Sequence, residues 1–434
     1  MMEPIIVNVY LWGSHVGAMT WNENYGYADF EFTPQFRRSG LEISPLIMPL
    51  ANTRAAISFP TLAHSHCFNG LPGLVADSLP DNFGNQLINE WFEQHGRPSD
   101  SVTPLERLCY VGSRAMGALE YKPAEKIDGV SESTLIYVRE LMALSEKVFK
   151  ERSDFQERLR QKDRAILDVL KVGTSAGGAK PKAIIAYNEL SGEVRSGQVK
   201  APEGYTYWLL KFDGGTYSEH NDISDNPKGI GNIEYAYYKM AVDCGIKMSE
   251  CRLLSEGDCN HFMTKRFDRL DNGEKVHMQT LAGLAHLDRD TRHSYEEVFS
   301  VLRRMNMPQA DMTQLYRRMV FNVIARNHDD HTKNFSFLMD KNGKWQFAPA
   351  YDLCYSYKPD GKWTSRHQLS VNGKQQDFTK SDLLAVAERE GVRSAVEEIE
   401  HIEDIVSHWT SYAREYGVKT DHMNQIEKNL LYKL

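Results

Sequence analysis

Apolar positions recur along this chain at two different periods, and the switch between them marks its organisation. In the first 125 residues the period is two. Val7, Val9 and Leu11 alternate with Asn8 and Tyr10, and Tyr27–Phe32 (Tyr-Ala-Asp-Phe-Glu-Phe) repeats the pattern, so both stretches predict half-buried strands. Trp12-Gly13-Ser14 reads as a turn between them. Leu79-Pro80-Asp81-Asn82-Phe83-Gly84 predicts a helix start with Asp81 as the N-cap, and Leu87, Ile88, Trp91 and Phe92 follow at helical spacing. From Ser131 to about Leu170 the period becomes helical, with Leu135, Val138, Leu141, Met142 and Val148 on one face. A domain boundary is expected across 121–130, where Lys122-Pro123 breaks the preceding strand.

Beyond Gly173 two further strands are expected, at Ala183–Tyr187 and Tyr205–Phe212. A helix over Ile233–Cys244 follows, then strands up to Phe262–Phe267. After Ser294 the pattern is mostly helical. Met312, Leu315, Tyr316, Met319, Val320 and Val323 advance in steps of three and four, which predicts a helix with a buried face. A β-rich stretch followed by an α-rich one is α+β rather than alternating βαβ. The expected division is 1–125, a β-rich N-terminal part; 126–268, a lobe of helices and strands; and 269–434, a helical lobe.

Composition narrows the class. The chain has 434 residues, 51 Lys+Arg and 59 Asp+Glu, giving a formal net charge of −8. Hydrophobic residues at 41% and charged residues at 25% are ordinary for a globular protein and exclude a disordered chain, a collagen or a coiled-coil rod. At about 150 residues per domain the length suggests two or three domains. No run approaches the roughly 18 uncharged apolar residues of a spanning helix, and no secretory signal is expected at the N-terminus. Six cysteines without a Cys-x-x-Cys pair are too sparse for a disulfide framework and point to a reducing, cytoplasmic setting. The mild acidity argues against nucleic-acid binding by bulk charge.

The densest chemistry lies just after the Met312–Val323 helix, in Asn327-His328-Asp329-Asp330-His331-Thr332-Lys333-Asn334. Phe335–Met339 reads as a strand, Asp340-Lys341-Asn342-Gly343 as a turn with the Asn-Gly signature, and Trp345-Gln346-Phe347 as the returning strand. A hairpin brings its ends together, so Asn334 before it and Asp352 after it are expected to be neighbours. Asp329 and Asn334 stand five apart, the spacing of a protein-kinase catalytic loop, in which the Asp accepts a substrate hydroxyl proton and the Asn binds magnesium. Magnesium prefers hard oxygens, and Asp352 with Asn334 supplies one carboxylate and one amide. Upstream, Gly173-Thr174-Ser175-Ala176-Gly177-Gly178-Ala179-Lys180-Pro181-Lys182 offers a glycine-rich stretch whose backbone N–H groups suit phosphate. Lys211 follows apolar Leu209-Leu210 on the next strand, where a lysine needs an anionic partner such as the ATP phosphates. Glu234 on the following helix is a candidate partner for its ammonium.

These residues together resemble the HipA family of Ser/Thr kinases, the toxin half of bacterial toxin–antitoxin pairs, over nearly the whole chain. The matching stretches are Leu79-Pro80-Asp81-Asn82, Tyr110-Val111-Gly112, Gly117–Tyr121, Ser175–Lys182, Lys211, Arg266-Phe267-Asp268-Arg269, Asp329–Asn334 and Ala350-Tyr351-Asp352. The resemblance implies a two-lobed protein-kinase-like fold with a β-rich N-terminal subdomain and a helical C-terminal lobe. It implies Asp329 as catalytic base and Asn334 and Asp352 as magnesium ligands. It implies ATP contacts from Ser175, Ala176, Gly177, Gly178, Ala179, Lys180, Lys182, Lys211, His331, Lys333 and Tyr351, with the Lys265-Arg266-Phe267 backbone holding adenine. Ser175 matches the serine whose autophosphorylation switches family members off. The implied partners are a helix-turn-helix antitoxin dimer, operator DNA through that complex, and a protein substrate of the aminoacyl-tRNA synthetase kind. No membrane is implied.

The chain departs from the general kinase pattern. It has no His-Arg-Asp, no Asp-Phe-Gly at Asp352, no Gly-x-Gly-x-x-Gly and no Ala-Pro-Glu. Alternatives stay open at this level. Asp330 competes with Asp329 as base. His328 and His331 beside two Asp also suit a histidine–aspartate phosphohydrolase. The Gly173 stretch falls one residue out of step with a Walker A loop, and Pro181 takes its Ser/Thr place. Lys211 alone reads equally as a snorkelling edge lysine, Ser175 as a turn residue, and Glu234 as a solvated helix-start glutamate. A catalytically weak scaffold that works by binding an antitoxin is the competing function.

Overall fold

The computed structural model describes residues 5–52, 55–80, 84–85, 88–89, 92–93, 96–123, 136, 138, 182–213 and 228–434. Readings that concern Asp81 and Asn82, most of the Ser131–Leu170 helix and the Gly173–Pro181 stretch lie outside the described residues. The chain divides into two compact units, each discontinuous in sequence. One comprises Met1–Lys211, Lys265–Asp288 and Phe337–Lys344, the other Phe212–Thr264, Arg289–Ser336 and Trp345–Leu434.

In the first unit, strands β1 (Ile6–Leu11), β2 (Ser14–Asn22), β3 (Tyr27–Phe32), β4 (Ile57–Ser58) and β5 (Leu119–Lys122) form an antiparallel sheet in the order β4-β3-β2-β1-β5. The alternation in β1 and β3 does what it predicts: Val7, Val9, Leu11, Ala28, Phe30 and Phe32 are all buried. β2 was not expected; the structure pairs nine residues, Ser14–Asn22, with both neighbours. The turn joining β1 to β2 has Trp12 at φ 48° and Gly13 at φ 81°, two left-handed residues in a row, whose twist suits a tight hairpin. The helix Pro104–Val111 opens with a reciprocal cap. Thr103 Oγ1 accepts from Glu106 N at 3.2 Å while Glu106 Oε2 accepts from Thr103 N at 2.8 Å.

A second strand group in this unit places β6 (Lys182–Tyr187) between β7 (Val194–Ser196) and β8 (Thr206–Lys211), all antiparallel. Residues 183–186 of β6 are fully buried, which explains why this strand reads as a continuous apolar run. The register sets Lys182 directly opposite Lys211.

The same unit contains a buried ion cluster. Asp268, fully buried, receives Arg266 through two hydrogen bonds (2.8 and 2.6 Å), Arg269 at 2.9 Å and the Gly117 amide at 2.7 Å. Arg269 also donates to the carbonyls of Gly117 and Ala115. Burial by itself raises a carboxyl pKa, but the two guanidinium groups outweigh it and hold Asp268 well below the usual carboxylate range. The cluster ties the residues before β5 to the 266–269 segment.

The second unit is mostly helical around Gln309–Ile324. Met312, Leu315, Tyr316, Met319, Val320 and Val323, the positions predicted to face inward, are all buried. Neighbouring helices are fastened to it by specific bonds. Tyr316 Oη donates to Leu383 O at 3.1 Å, and Arg317 grips Glu398 with two hydrogen bonds (2.7 and 2.8 Å). Tyr237, from the helix Ile230–Asp243, donates to Ala325 O at 2.9 Å and meets Trp409 edge-on at 5.3 Å. Strands β9 (Cys251–Glu256) and β10 (Cys259–Lys265) pair as a hairpin. Among the described residues no helix is long and apolar enough to cross a membrane.

Burial also sets a pH dependence. His277 is fully buried in the first unit, which pushes its imidazole down to about 4 against a backbone hydrogen bond at Ile43 that works the other way. The folded value lies below the unfolded one, so the unfolded chain binds the extra proton in acid. The stability this histidine contributes is present above its unfolded value near 6.5 and is lost as pH falls toward about 4. Between pH 7 and 4.5 the loss is on the order of 2–3 kcal/mol. Urea unfolding of the wild type and His277→Gln at both pH values checks this. The variant should lose less by that amount, and equal losses in the two chains contradict it.

Candidate active site

The Gln309–Ile324 helix ends at Ala325, and Arg326 takes a left-handed conformation (φ 58°) that turns the chain out of the helix. Arg326 is fixed there: its Nε donates to Asn429 O at 2.8 Å and its guanidinium lies 4.3 Å from the Tyr357 ring centroid. The next residues run back along the helix end, because Asn327 N donates to Asn322 O and its Nδ2 to Asn322 Oδ1, both at 2.9 Å.

The two adjacent aspartates then separate into different environments. Asp330 is 1% exposed and both its oxygens are occupied. Oδ2 accepts from Tyr295 Oη and His367 Nδ1, each at 2.8 Å, and Oδ1 accepts from the amides of Gln368 (2.8 Å) and Leu369 (3.4 Å). Tyr295 Oη in turn accepts from Asn322 Nδ2 at 2.9 Å, and burial followed by the Asp330 charge raises its pKa well above the ordinary tyrosine value. Asp329, by contrast, keeps a side chain 46% exposed. Asp329 is thus the carboxylate open to solvent, and Asp330 is a structural anchor.

His328 and His331 also diverge. His328 is buried, its ring tilted against those of His367 and Tyr357 with centroids 4.1 and 4.8 Å away. Burial first, then His367 and Arg326, drive its pKa far below the histidine range, so it is a neutral packing group. His331 places Nε2 3.7 Å from Asp329 Oδ1. Among the described residues no group of three or more His, Cys, Asp and Glu is placed to hold a metal.

The hairpin closes as expected. Strands Ser336–Met339 and Trp345–Phe347 flank a turn in which Gly343 N donates to Asp340 O at 3.0 Å, and Ala348 N donates to Ser336 O at 2.9 Å. Tyr351 then ties the two loops together: its hydroxyl donates to Lys333 O at 2.7 Å and pairs with Ser336 Oγ at 2.5 Å. Asp352 follows in a left-handed conformation (φ 58°), held by its surroundings rather than by its own preference. Asn334 and Asp352 consequently line one small cleft with Arg318, Asn322, Asn327, Asp330, Phe335, Ala350, Tyr351 and Leu353. Asn334 Nδ2 donates to the Asp329 carbonyl at 2.7 Å, so the amide oxygen is the end left to face a ligand. One carboxylate and one amide oxygen are hard donors of the kind magnesium takes when it keeps phosphate and water for its remaining positions.

The other predicted residues are distributed as follows. Lys182 and Lys211 face each other across β6 and β8, with Lys182 6% exposed. Arg266 N donates to Tyr207 O at 2.8 Å, its guanidinium belongs to the Asp268 cluster, and Lys265 Nζ pairs with Asp271 at 2.8 Å. Glu234 is 6% exposed, so its reading as a solvated helix-start residue fails. Ser175, Ala176, Gly177, Gly178, Ala179 and Lys180 lie outside the described residues. Arg318, Asn322, Tyr295 and His367 were not foreseen. Gln314, Arg318 and Asn322 are spaced by four on a helix otherwise read from its apolar face, and that polar stripe was the available signal.

The family model described as the HipA-like C-terminal domain matches residues 174–426, and that of the HipA N-terminal domain matches residues 7–122. Among curated proteins, the chain is similar to a putative kinase of Haemophilus influenzae, 28% identical over 139 residues, 29% of this chain and 40% of that protein. It is similar as well to the putative kinase Y4dM of Sinorhizobium fredii, 25% identical over 196 residues, 42% of this chain and 45% of that protein. The chain thus spans less than half the length of either relative. Among solved structures it is similar to a chain of the Shewanella oneidensis MR-1 toxin–antitoxin complex of HipA, HipB and operator DNA. The TM-score is 0.63 at 15% identity, with 98% of this chain and 96% of that one covered, so the likeness concerns the fold.

The separation of the aspartates is directly testable by urea unfolding. Asp330→Ala leaves His367, Tyr295 and two amides without their acceptor and should cost about 3–5 kcal/mol. Asp329→Ala should stay within about 0.5 kcal/mol of wild type. Equal losses contradict the assignment of one anchor and one free carboxylate.

Proposed function

Because the chain belongs to the HipA family, we propose that it is an ATP- and magnesium-dependent kinase acting on serine or threonine of a protein, the toxin of a toxin–antitoxin pair. The observation that carries this reading is the cleft in which Asn334 and Asp352 meet, one hydrogen bond away from the exposed Asp329. Asn334 Oδ1 and the Asp352 carboxylate would hold the metal, which would offset the charge on the phosphoryl oxygens.

Asp329 takes the proton of the substrate hydroxyl as that oxygen attacks the γ-phosphorus of ATP, whose bond to the bridging oxygen breaks to release ADP, and His331, 3.7 Å away, orients its carboxylate. Lys182 and Lys211 contact the phosphates. Their opposed register on β6 and β8 supports this, since it sets the two lysines side by side on one strand pair. Ser175, Ala176, Gly177, Gly178, Ala179 and Lys180 form the phosphate loop, the Lys265-Arg266-Phe267 backbone holds adenine, and Lys333 and Tyr351 complete the nucleotide contacts. Autophosphorylation of Ser175 adds about −1.5 to −2 charge where ATP phosphates bind, which is enough to switch the enzyme off. The substrate is a translation protein such as an aminoacyl-tRNA synthetase, by analogy with the family.

A second role is compatible with the first. The similar fold from Shewanella oneidensis was solved with HipB and operator DNA. By the same token this chain docks on a helix-turn-helix antitoxin dimer and through it reaches operator DNA. In a gel-shift titration, adding the chain to the antitoxin should tighten operator binding; an unchanged shift contradicts the corepressor role.

The catalytic assignment has its own test. Asp329→Ala should lower labelled-phosphate transfer to protein at least about a hundredfold. Calorimetry should find its magnesium–nucleotide affinity close to wild type. Wild-type transfer by Asp329→Ala contradicts the proposal.

A further inference from the structure

Three polar side chains run along the buried face of the Gln309–Ile324 helix at intervals of four: Gln314, Arg318 and Asn322, each 5% exposed or less. Burying such groups is costly unless each is used. Two have plain uses. Gln314 holds the 245–247 segment, donating to Gly245 O (2.9 Å) and accepting from Lys247 N (2.8 Å), and Lys247 O in turn accepts from Ala350 N at 2.8 Å. Asn322 holds Asn327 and Tyr295, and through Tyr295 the Asp330 anchor. The stripe therefore fixes the approach to Asp352 at one end and the catalytic loop at the other.

Arg318 sits between them and is only part-used. Its Nη2 donates to Ala348 O at 2.7 Å and its guanidinium lies 4.1 Å from the Phe347 ring centroid. Nε and Nη1 have no protein partner among the described residues, although both are buried. The side chain lines the same cleft as Asn334 and Asp352. Burial lowers its pKa to about 9, which still leaves it charged at neutral pH. A buried guanidinium with two free donors and no salt bridge among the described residues, lining a cleft that Asp352 and Asn334 also line, is otherwise unexplained.

We propose that Arg318 is a positioning residue for the metal site: lining the cleft, its bond to Ala348 holds the 348–352 segment so that Asp352 and Asn334 present their oxygens to one ion. This inference rests on the kinase reading and deepens it. Groups that stand behind metal ligands typically alter metal affinity by about ten- to a hundredfold when removed.

The test is calorimetric titration of ADP, with and without magnesium, into wild type, Arg318→Met and Arg318→Lys, alongside melting curves. Arg318→Met should lose about tenfold or more of the magnesium-dependent gain in ADP affinity while the magnesium-free affinity is unchanged. Arg318→Lys keeps the charge without the planar fork and should recover part of the gain; if Arg318→Met does not fold, Arg318→Lys against wild type decides. Magnesium-free and magnesium-bound affinities falling in parallel indicate a merely structural residue and overturn the proposal, as does a magnesium gain equal to wild type in a folded variant. A wild type with no magnesium-dependent ADP binding overturns the kinase reading, and this one with it, and is distinguished by that control alone.

Discussion

Asp330 is a carboxylate with no exposure to water, and its four donors come from two separate stretches of chain. A buried charge is tolerated only when its hydrogen-bonding capacity is filled. That requirement fixes the loop after the Gln309–Ile324 helix against the helix that bears Tyr295 and against the 367–369 segment. Once Asp330 is turned inward, its neighbour Asp329 is directed outward, and Asn334 is close enough to bind the Asp329 carbonyl. The geometry of the proposed catalytic loop is thus a consequence of satisfying one buried anion.

The second loop is held by the same logic applied to a helix. Gln314, Arg318 and Asn322 carry polar groups into a core that Met312, Leu315, Met319 and Val323 otherwise fill. Their bonds run to Lys247, Ala348 and Asn327, so a single rigid element sets both the loop that bears Asp329 and the segment that leads to Asp352. Sites built on regular elements hold their geometry better than sites built on loops alone, and here the loops borrow the helix's precision.

Much of this was readable in the sequence because it rests on local rules. The alternation of β1 and β3, the buried face of Gln309–Ile324, and the Asn-Gly turn that brings Asn334 toward Asp352 each follow from spacing and turn chemistry. What could not be read depended on distant partners. β2 carries Gly17 and mixed polar residues in place of a clean alternation, and its strand character comes from β1 and β3 on either side. Asp329 and Asp330 are chemically identical neighbours, and partners 35 to 39 residues away, Tyr295 and the 367–369 segment, tell them apart. Arg318 was passed over because the helix was read for its apolar positions, although its step of four from Gln314 and Asn322 lay in plain view.

The central claim is that Asn334 and Asp352 act on one ion. A double-mutant cycle in magnesium-dependent nucleotide affinity, with Asn334→Ala, Asp352→Ala and the pair, tests it most directly. Joint ligands predict strong non-additivity: either single change removes nearly all of the magnesium effect and the second adds little. Independent, additive losses, or a full magnesium effect in either single variant, contradict the account.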